Sequence, residues 1–211
     1  MLDRFIHGLL EQHAQVTGIH WQSDDVVLLE RKDFPPFQAA ILRQRMVNAN
    51  HIFPFIRKPI SVVANFPKIG KWHAEAIDLC EAHKKAWGQW GVLMRAINTE
   101  LPETTEDPKI AFSRRALRQH NRVLRVNFEF DHLLIVHHDS GHKLKVALLY
   151  QYDLTGNDVR EAWDEFGCFD ILLKTNPNGS ILDDAYDVAS ALGTQVFGIR
   201  ETLSYLGKGC F

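Results

Sequence analysis

The chain lacks the short motifs that mark the commonest nucleotide-binding proteins and covalent enzymes. It contains neither GxGxxG nor GxxxxGK[ST], the glycine-rich loops that hold phosphates in dinucleotide-binding and P-loop proteins. GxSxG is also absent, and no cysteine has an evident partner base. Nothing therefore supports hydrolysis through a covalent enzyme intermediate.

Cysteine is scarce and long apolar runs are missing. The three cysteines, Cys80, Cys168 and Cys210, form no CxxC pair, which fits free thiols in a reducing cytoplasm. No window contains the roughly 18 uncharged apolar residues of a membrane span. The apolar residues of 1–13 fall on one face of a helix, and the segment carries Asp3 and Glu11 and lacks a long apolar core. This pattern indicates an amphipathic helix rather than a secretory signal. We therefore predict a cytoplasmic protein with no membrane partner.

Neither sign of charge dominates. The net charge is −2 with histidine neutral, so we expect no global attraction to nucleic acid or acidic membranes. An apolar fraction of 45% and a charged fraction of 24% are those of a globular protein. A chain of 211 residues can form one large domain or two small ones.

The last third of the chain alternates apolar runs with amphipathic segments, which is typical of βαβ units in a sheet covered by helices. Strands are predicted at 145–152, 168–175 and 194–199, with helices at 155–167 and 180–193. Ligands of such sheets bind near the carboxyl ends of the strands. Tyr150 and Asn176 therefore mark one candidate site, that of a small-molecule sensor.

The first half predicts a mixed α/β region. Strands are predicted at 26–30 and 59–67, with helices at 37–48 and at roughly 70–98. The segment 99–109 is acidic, holds two prolines and predicts an exposed linker. We thus expect an N-terminal region over 1–98 with a long helix, the linker, and a C-terminal region over 110–211. No strong internal repeat is predicted, although NFPKIG and NPNGS, each after a strand, are loosely alike.

The C-terminal region opens with a basic helix, IAFSRRALRQHNR, followed by VLRVNFEFD, which alternates as a half-buried strand should. A hairpin with its turn at Asp139-Ser140-Gly141 follows. His137, His138 and His142 flank that turn. Adjacent residues of a strand point to opposite faces, so we expect a polar hairpin tip facing water rather than a metal site.

This order of elements resembles the restriction-endonuclease-like core, and most of all type IV restriction enzymes, which cut modified DNA. The resemblance is carried by a helix, antiparallel strands with an acidic residue at Asp131, and then VALLYQYD, FDILLKTNPNG, AYDVASALG, TQVFGI and ETLSYL. It covers about half of the chain. The expected fold class is thus α/β: a mixed sheet flanked by helices, restriction-endonuclease-like in the C-terminal half and mixed α/β in the N-terminal half.

The resemblance implies a metal site. Enzymes of this family hold one or two divalent metals with an Asp from one strand and a Glu or Gln from the next, and a Lys orients or activates water. Asp131 stands for the first carboxylate and Gln151 for an uncharged oxygen ligand. Asp153 and Lys145 are the nearest substitutes for the remaining residues. The implied cofactor is Mg²⁺ or Mn²⁺, held by Asp131 and Asp153.

The chain departs from the family at the Glu-x-Lys signature. Depending on the register, Leu149-Tyr150-Gln151 or Tyr150-Gln151-Tyr152 stands at that position, so neither Glu nor Lys is present. Lys145 shares a face with the carboxylates only if no bulge intervenes. We expect a degenerate site with weak hydrolysis, and whether a metal-dependent nuclease remains active stays open.

The basic helix is a candidate DNA contact. Spacing of four residues puts Arg114 with Arg118, and Arg118 with Arg122, on one face, with Arg115 beside them. Such a face can neutralise several phosphates. The alternative is a solvated face that balances the acidic linker.

Two functions from other classes remain open beside a nucleic-acid-associated protein of genome defence or DNA processing. One is a non-catalytic interaction subunit. Trp87 and Trp90, in WGQWG, predict either core packing or a contact with a protein partner or a second copy. The other is the small-molecule sensor at the strand ends.

Overall fold

The computed structural model describes the backbone of residues 2–209 and the side chains of residues 4–209. Cys210, one of the three predicted free thiols, lies outside the described residues. The chain divides into two compact units, Met1–Asp107 (unit 1) and Pro108–Phe211 (unit 2). Both consist of mixed β-sheets flanked by helices, so the predicted α/β class is confirmed. Among the residues that the structure describes, no helix is long and apolar enough to cross a membrane.

The described part of unit 1 contains four helices and seven strands, with one-turn 3₁₀ segments at Phe53–Phe55 and Pro102–Thr104. In chain order they are α1 (Leu2–Glu11), β1 (Val16–Trp21), β2 (Val26–Arg31), β3 (Phe37–Leu42), β4 (Met46–Val47), α2 (Ala49–Ile52), β5 (Ile60–Asn65), β6 (Lys71–Trp72), α3 (Ala74–Ala82), β7 (Ala86–Gln89) and α4 (Trp90–Ala96).

Unit 2, as far as residue 209, contains four helices and five strands. In chain order they are α5 (Pro108–Arg118), β8 (Val123–Phe130), β9 (Leu133–His138), β10 (Lys143–Leu149), α6 (Gly156–Phe166), β11 (Ile171–Lys174), α7 (Asp183–Leu192), β12 (Gln195–Gly198) and α8 (Ile199–Lys208).

Each unit is built on a five-stranded sheet, and the two sheets have the same topology. The strand orders are β1-β2-β3-β5-β7 and β8-β9-β10-β11-β12. In both, the first three strands pair antiparallel and the last two continue the sheet in parallel. Unit 1 adds the short parallel pair β4–β6, where unit 2 has the single parallel bridge Leu154↔Ile181.

The two units match residue by residue along the sheet. Each residue of β1, β2 and β3 lies 107 positions before its counterpart in β8, β9 and β10. Val16 thus matches Val123, and Ala40 matches Ala147. The spacing is 109 positions in the two parallel strands, as in Ala86 and Gln195. The β-bulges that follow Val16 and Val123 occupy the same place in the two sheets. The chain is therefore an internal repeat, which the sequence alone did not predict.

The caps at the helix ends also recur in the two units. Asn48 and Thr155 are both N-cap residues that close a capping box, at α2 and α6 respectively, and this arrangement satisfies amides that a helix start leaves free. Lys84 (φ 52°) ends α3 where Gly193 (φ 73°) ends α7. Both precede a residue whose amide bonds back into the last helical turn, as in a Schellman motif. Glycine adopts this left-handed backbone more easily than lysine.

The strands alternate between two apolar layers. In unit 1, the layer under α1 and α4 holds Ile6 and Leu10 of α1 with Val92, Leu93 and Ala96 of α4. In unit 2, the layer under α6 and α7 is made of these buried residues: Leu133, Ala147, Val159, Ala162, Leu172, Ala185, Ala189 and Val196. Helices α5 and α8 contact strands of the same sheet. Each unit thus buries alternate strand residues against helices.

Two predicted elements of the first half are wrong. The helix predicted at 37–48 is β3, with burial along nearly the whole strand. Pairing with β2 and β5 outweighs the helical preference of Gln and Ala. The helix predicted at 70–98 is divided into β6, α3, β7 and α4. Gly88, at φ 148°, lies in β7, and the apolar residues around it continue the sheet rather than a helical stripe.

Candidate nucleic-acid interface

Three of the predicted site residues lie near one edge of the unit 2 sheet. Asp131 is in the turn that leads into β9, and Gln151 and Asp153 follow the last residue of β10. Because β9 and β10 are antiparallel, with Leu133 opposite Ala147, the start of one strand meets the end of the other. The structure therefore brings the expected Asp and Gln to the same edge.

Asp131 is buried, with 2% of its surface exposed. Its Oδ2 lies 3.3 Å from Nδ1 of His132, which is partly exposed. The predicted alternation of 123–131 is interrupted by a bulge between Phe128 and Phe130, so Asp131 belongs to the turn and not to the polar face of the strand.

Gln151 and Asp153 both hold loops in place. The Gln151 side chain donates to Oδ1 of Asp158 at 3.0 Å, and the other oxygen of that carboxylate accepts from the Thr155 amide at 2.8 Å. Gln151 thus supports the capping box of α6. Oδ1 of Asp153 accepts from the Ser180 amide at 2.8 Å and joins the loop after β10 to the loop before α7.

Lys145 lies away from that edge. It is the third residue of β10, and the strand from Lys145 to Leu149 spans about 13 Å. Its ammonium is paired with Glu129, at 2.9 Å from Oε1 and 2.7 Å from Oε2. The structure therefore does not bring Lys145 to Gln151 and Asp153, where the family's lysine would act.

Asp131 and Asp153 were the predicted metal ligands. Across residues 2–209, the structure contains no group of three or more His, Cys, Asp or Glu side chains that could hold a metal ion. The pair has no third such ligand, and one oxygen of Asp153 is already bonded. Mg²⁺ is usually held by one or two carboxylates together with waters and phosphates, and the metal site stays a prediction.

The predicted arginine face is only partly correct. Helix α5 ends at Arg118, so Arg122 does not continue its face. In the turn that follows, the His120 ring accepts from the Arg122 amide at 3.3 Å. The Arg122 side chain is paired with Asp139 at 3.1 Å and donates to the Gly207 carbonyl at 3.0 Å. The hydrogen bond from Arg122 also lowers the pKa of Asp139.

The three arginines within α5 differ in exposure. Arg114 stacks over the Phe128 ring, with its guanidinium carbon 4.5 Å from the ring centroid, and so packs against the sheet. Arg115 and Arg118 are exposed. Of the four predicted phosphate contacts, only these two are presented to solvent without a structural role in any described contact.

A second basic cluster, which we call the basic row, crosses three neighbouring strands. Arg125 of β8 is directly opposite His137 of β9, and His137 is directly opposite Lys143 of β10. Directly opposite residues project from the same face, with Cβ atoms about 5 Å apart. Arg125 and Lys143 are exposed and His137 is partly buried. Burial lowers the pKa of His137, and the charges of Arg125 and Lys143 lower it further.

The basic row was missed because it depends on strand register. Its residues are spread over 19 positions of sequence (125–143) and form no run of charge. The predicted turn at Asp139-Ser140-Gly141 was the available signal: pairing outward from it puts His137 opposite Lys143. The bulge after Val123, which fixes Arg125 opposite His137, has no comparable signature in the sequence.

The histidines at the hairpin do not form a uniformly exposed tip. His138 is buried, and its Nε2 lies 2.9 Å from the Leu206 carbonyl, while its Nδ1 accepts from the Ser140 amide at 3.1 Å. These bonds require the tautomer protonated at Nε2. His138 therefore anchors the end of α8 to the sheet, and the expectation of a polar tip is wrong for this residue.

The other two candidate sites are used for packing. Trp87 lies 5.6 Å from Trp72, and Trp90 lies 5.1 Å from Phe66, measured between ring centroids. At the strand ends, Lys109 lies 3.7 Å from the ring centroid of Tyr150. The Asn176 carbonyl accepts from Lys174 at 2.6 Å. A protein contact at the tryptophans and a small-molecule site at the strand ends remain predictions.

No protein-family model matches the chain, and neither the curated proteins nor the solved structures contain a significant match to it.

Proposed function

We propose that this protein binds nucleic acid through its phosphate backbone and retains a nuclease-like fold whose catalytic site is degenerate. The observation that carries the proposal is the element order of each unit. A helix, three antiparallel strands, a helix and a parallel strand occur twice in the chain. This is the order by which the second half resembles the restriction-endonuclease-like core. A role in genome defence or DNA processing is part of the same proposal.

The state of three of the four candidate catalytic residues supports binding over cleavage. Gln151 supports a helix cap, Asp153 joins two loops, and Lys145 is neutralised by Glu129. A lysine that activates water needs its ammonium near the reacting phosphate. With Lys145 held about 13 Å along the strand from the edge that carries Gln151, hydrolysis would lack its proton-transfer group.

Positive charge in unit 2 supports phosphate contact. Arg115 and Arg118 are exposed on α5, and Arg125 and Lys143 are exposed in the basic row. These side chains form no ion pair with any residue in 4–209. Because the net charge of the chain is −2, attraction to DNA would come from this local concentration and not from the charge of the whole molecule.

We expect a labelled DNA duplex to bind at low salt, with an affinity that falls steeply as salt rises, and to stay uncut when Mg²⁺ or Mn²⁺ is added. The checks are fluorescence anisotropy across a salt series and a denaturing gel of the same samples. Duplexes with and without modified bases should be compared, because the resembled family cuts modified DNA.

The Asp131→Asn variant is the control for cleavage, since it keeps the shape of a buried side chain. Metal-dependent cleavage that disappears in this variant would contradict the degenerate site and establish an active nuclease. If the wild-type protein fails to bind DNA even at low salt, the nucleic-acid function is wrong and the contact surface at Trp87 and Trp90 becomes the next hypothesis to test.

A cytoplasmic location belongs to the same proposal. Cys80 and Cys168 are both free thiols, as expected in a reducing compartment. Burial raises the pKa of Cys80 to about 12, so its thiol stays protonated and unreactive near neutral pH.

A further inference from the structure

The basic row places three nitrogen side chains on one face of three adjacent strands. Neighbouring strands are about 4.8 Å apart, so Arg125, His137 and Lys143 span roughly 10 Å at the Cα positions. That spacing lets three side chains converge on a phosphate or on two successive phosphates. No acidic side chain is paired with Arg125 or Lys143 among the residues described.

The row lies on a part of the sheet that helices leave open. Its face is the one that carries Leu133 and Ala147, which α6 and α7 bury. Leu133 is the first residue of β9 and Ala147 is the fifth of β10, whereas His137 and Lys143 lie at the other ends of these strands. Arg125 and Lys143 are accordingly exposed to solvent.

Such a row is costly in the free protein. Like charges directly opposite each other in a sheet destabilise it. Burial lowers the pKa of His137, and the charges of Arg125 and Lys143 on either side lower it further, so a proton on this ring is opposed by repulsion from both neighbours. A bound anion would remove that repulsion, which is the behaviour expected of a binding surface and not of a surface selected only for folding.

The repeat provides an internal comparison. The positions of unit 1 that correspond to Arg125, His137 and Lys143 hold Gly18, Glu30 and Pro36. Gly18 is directly opposite Glu30, and Glu30 is paired with His20 at 3.1 Å. The same sheet topology thus carries the basic row in unit 2 and a carboxylate in unit 1. The basic row is therefore not a requirement of the fold.

We infer that the basic row of unit 2 is a phosphate-binding site and that it contacts the phosphodiester backbone of nucleic acid. The inference rests on the proposed function and deepens it by naming the binding surface. Unit 1 has no equivalent site, because the corresponding positions offer a single negative charge.

The test compares two double variants that each remove two exposed positive charges from unit 2. Arg125→Ala with Lys143→Ala removes the ends of the basic row, and Arg115→Ala with Arg118→Ala removes the exposed charges of α5. Affinity for a labelled duplex and for the matching single strand is measured at low salt. We expect the row variant to lose about tenfold or more in affinity and the α5 variant to lose less than about threefold.

Each outcome has a separate meaning. If wild-type protein binds and the row variant binds equally well, the basic row is not the site, while nucleic-acid binding stands. Equal losses in the two variants would mean that only net charge matters, and would also overturn the inference that the basic row is the binding site. If the wild-type protein binds neither the duplex nor the single strand, both the inference about the basic row and the proposed function are wrong. Unchanged thermal unfolding of both variants is the folding control, since all four side chains are at least partly exposed.

Discussion

Replacing Arg31 by Met is expected to lower the free energy of unfolding of unit 1 by about 3 kcal/mol. Arg31 is buried, with 7% of its surface exposed. Its guanidinium donates to four backbone carbonyls, those of Pro35, Ala96, Ile97 and Thr99. Methionine fills a similar volume but removes the Arg31 donor from all four carbonyls, of which that of Ala96 keeps its bond from the Thr99 amide. A buried unsatisfied acceptor costs roughly 1–3 kcal/mol.

The expected loss is large because Arg31 joins distant parts of unit 1. It connects β2 to the end of α4, where carbonyls lack intrahelical partners. Burial lowers the pKa of Arg31, and the charge of Glu103 opposes that effect. The group nevertheless stays charged at neutral pH, because an arginine pKa lies so far above 7. Its positive charge also suits the negative end of the helix dipole.

Urea unfolding of the full chain measures this effect. The matched control is Lys32→Met, which removes a charge from the exposed neighbouring residue and should change stability by less than about 0.5 kcal/mol. Similar unfolding curves for the two variants would contradict the role of Arg31 as a buried anchor.

The repeat explains why this anchor exists. Arg31 corresponds to His138, and Ile97, whose carbonyl accepts from Arg31, corresponds to Leu206, whose carbonyl faces His138. Two chemically different side chains thus join the second strand to the last helix in the same place. At this place in both units a side chain of the second strand donates to a carbonyl at the end of the last helix. The donor is arginine in unit 1 and histidine in unit 2.

Lowering the pH from 7.5 to 5.5 is expected to strengthen nucleic-acid binding by about tenfold beyond any change seen in a His137→Gln variant. Protonated His137 would add one charge-assisted contact to phosphate, worth roughly 1.5 kcal/mol. The charged groups that face His137 are Arg125 on β8 and Lys143 on β10. Lys145, farther along β10, is neutralised by Glu129.

The direction of this pH dependence follows from the lowered pKa of His137. In the free protein the folded state takes up this proton less readily than the unfolded chain, so the residue reduces stability as pH falls below its ordinary pKa of about 6.5. Phosphate bound beside the ring raises its pKa again. Affinity therefore increases as pH falls, while the free protein loses stability over the same window.

Anisotropy at constant ionic strength across this pH range measures the effect. His142→Gln is the control, because His142 is exposed and lies outside the row. If His137→Gln keeps the full pH dependence of the wild-type protein, His137 does not take part in binding.

The fold of unit 2 could be predicted largely from sequence because its strands are apolar runs, or alternate cleanly as β8 does, and end at turn residues or helix caps. Unit 1 was harder. Phe37–Leu42 has helix-compatible residues but lies between two strands of the sheet, and long-range pairing decided its structure. The repeat left two traces: Gln12-His13 matches Gln119-His120, and NFPKIG occupies nearly the same place as NPNGS. Such traces are too short to establish a repeat before the sheets are compared.

The site could be predicted less well than the fold. The sequence supplied Asp131 and Gln151, whose counterparts in unit 1 are Asp24 and Gln44, but not the bonds that occupy Gln151. It also supplied a run of arginines, without the turn that ends α5 at Arg118. Contacts between strands depend on register and bulges, and a single displaced residue moves a side chain to the other face.

The most direct test of a phosphate-binding basic row is the slope of log Kd against the logarithm of salt concentration for one DNA duplex. The wild-type protein should give a steep slope, and the variant that lacks Arg125 and Lys143 should give a slope shallower by about two, one unit for each lost phosphate contact. Identical slopes for the two proteins would contradict the account, because they would mean that the row releases no counterions from DNA.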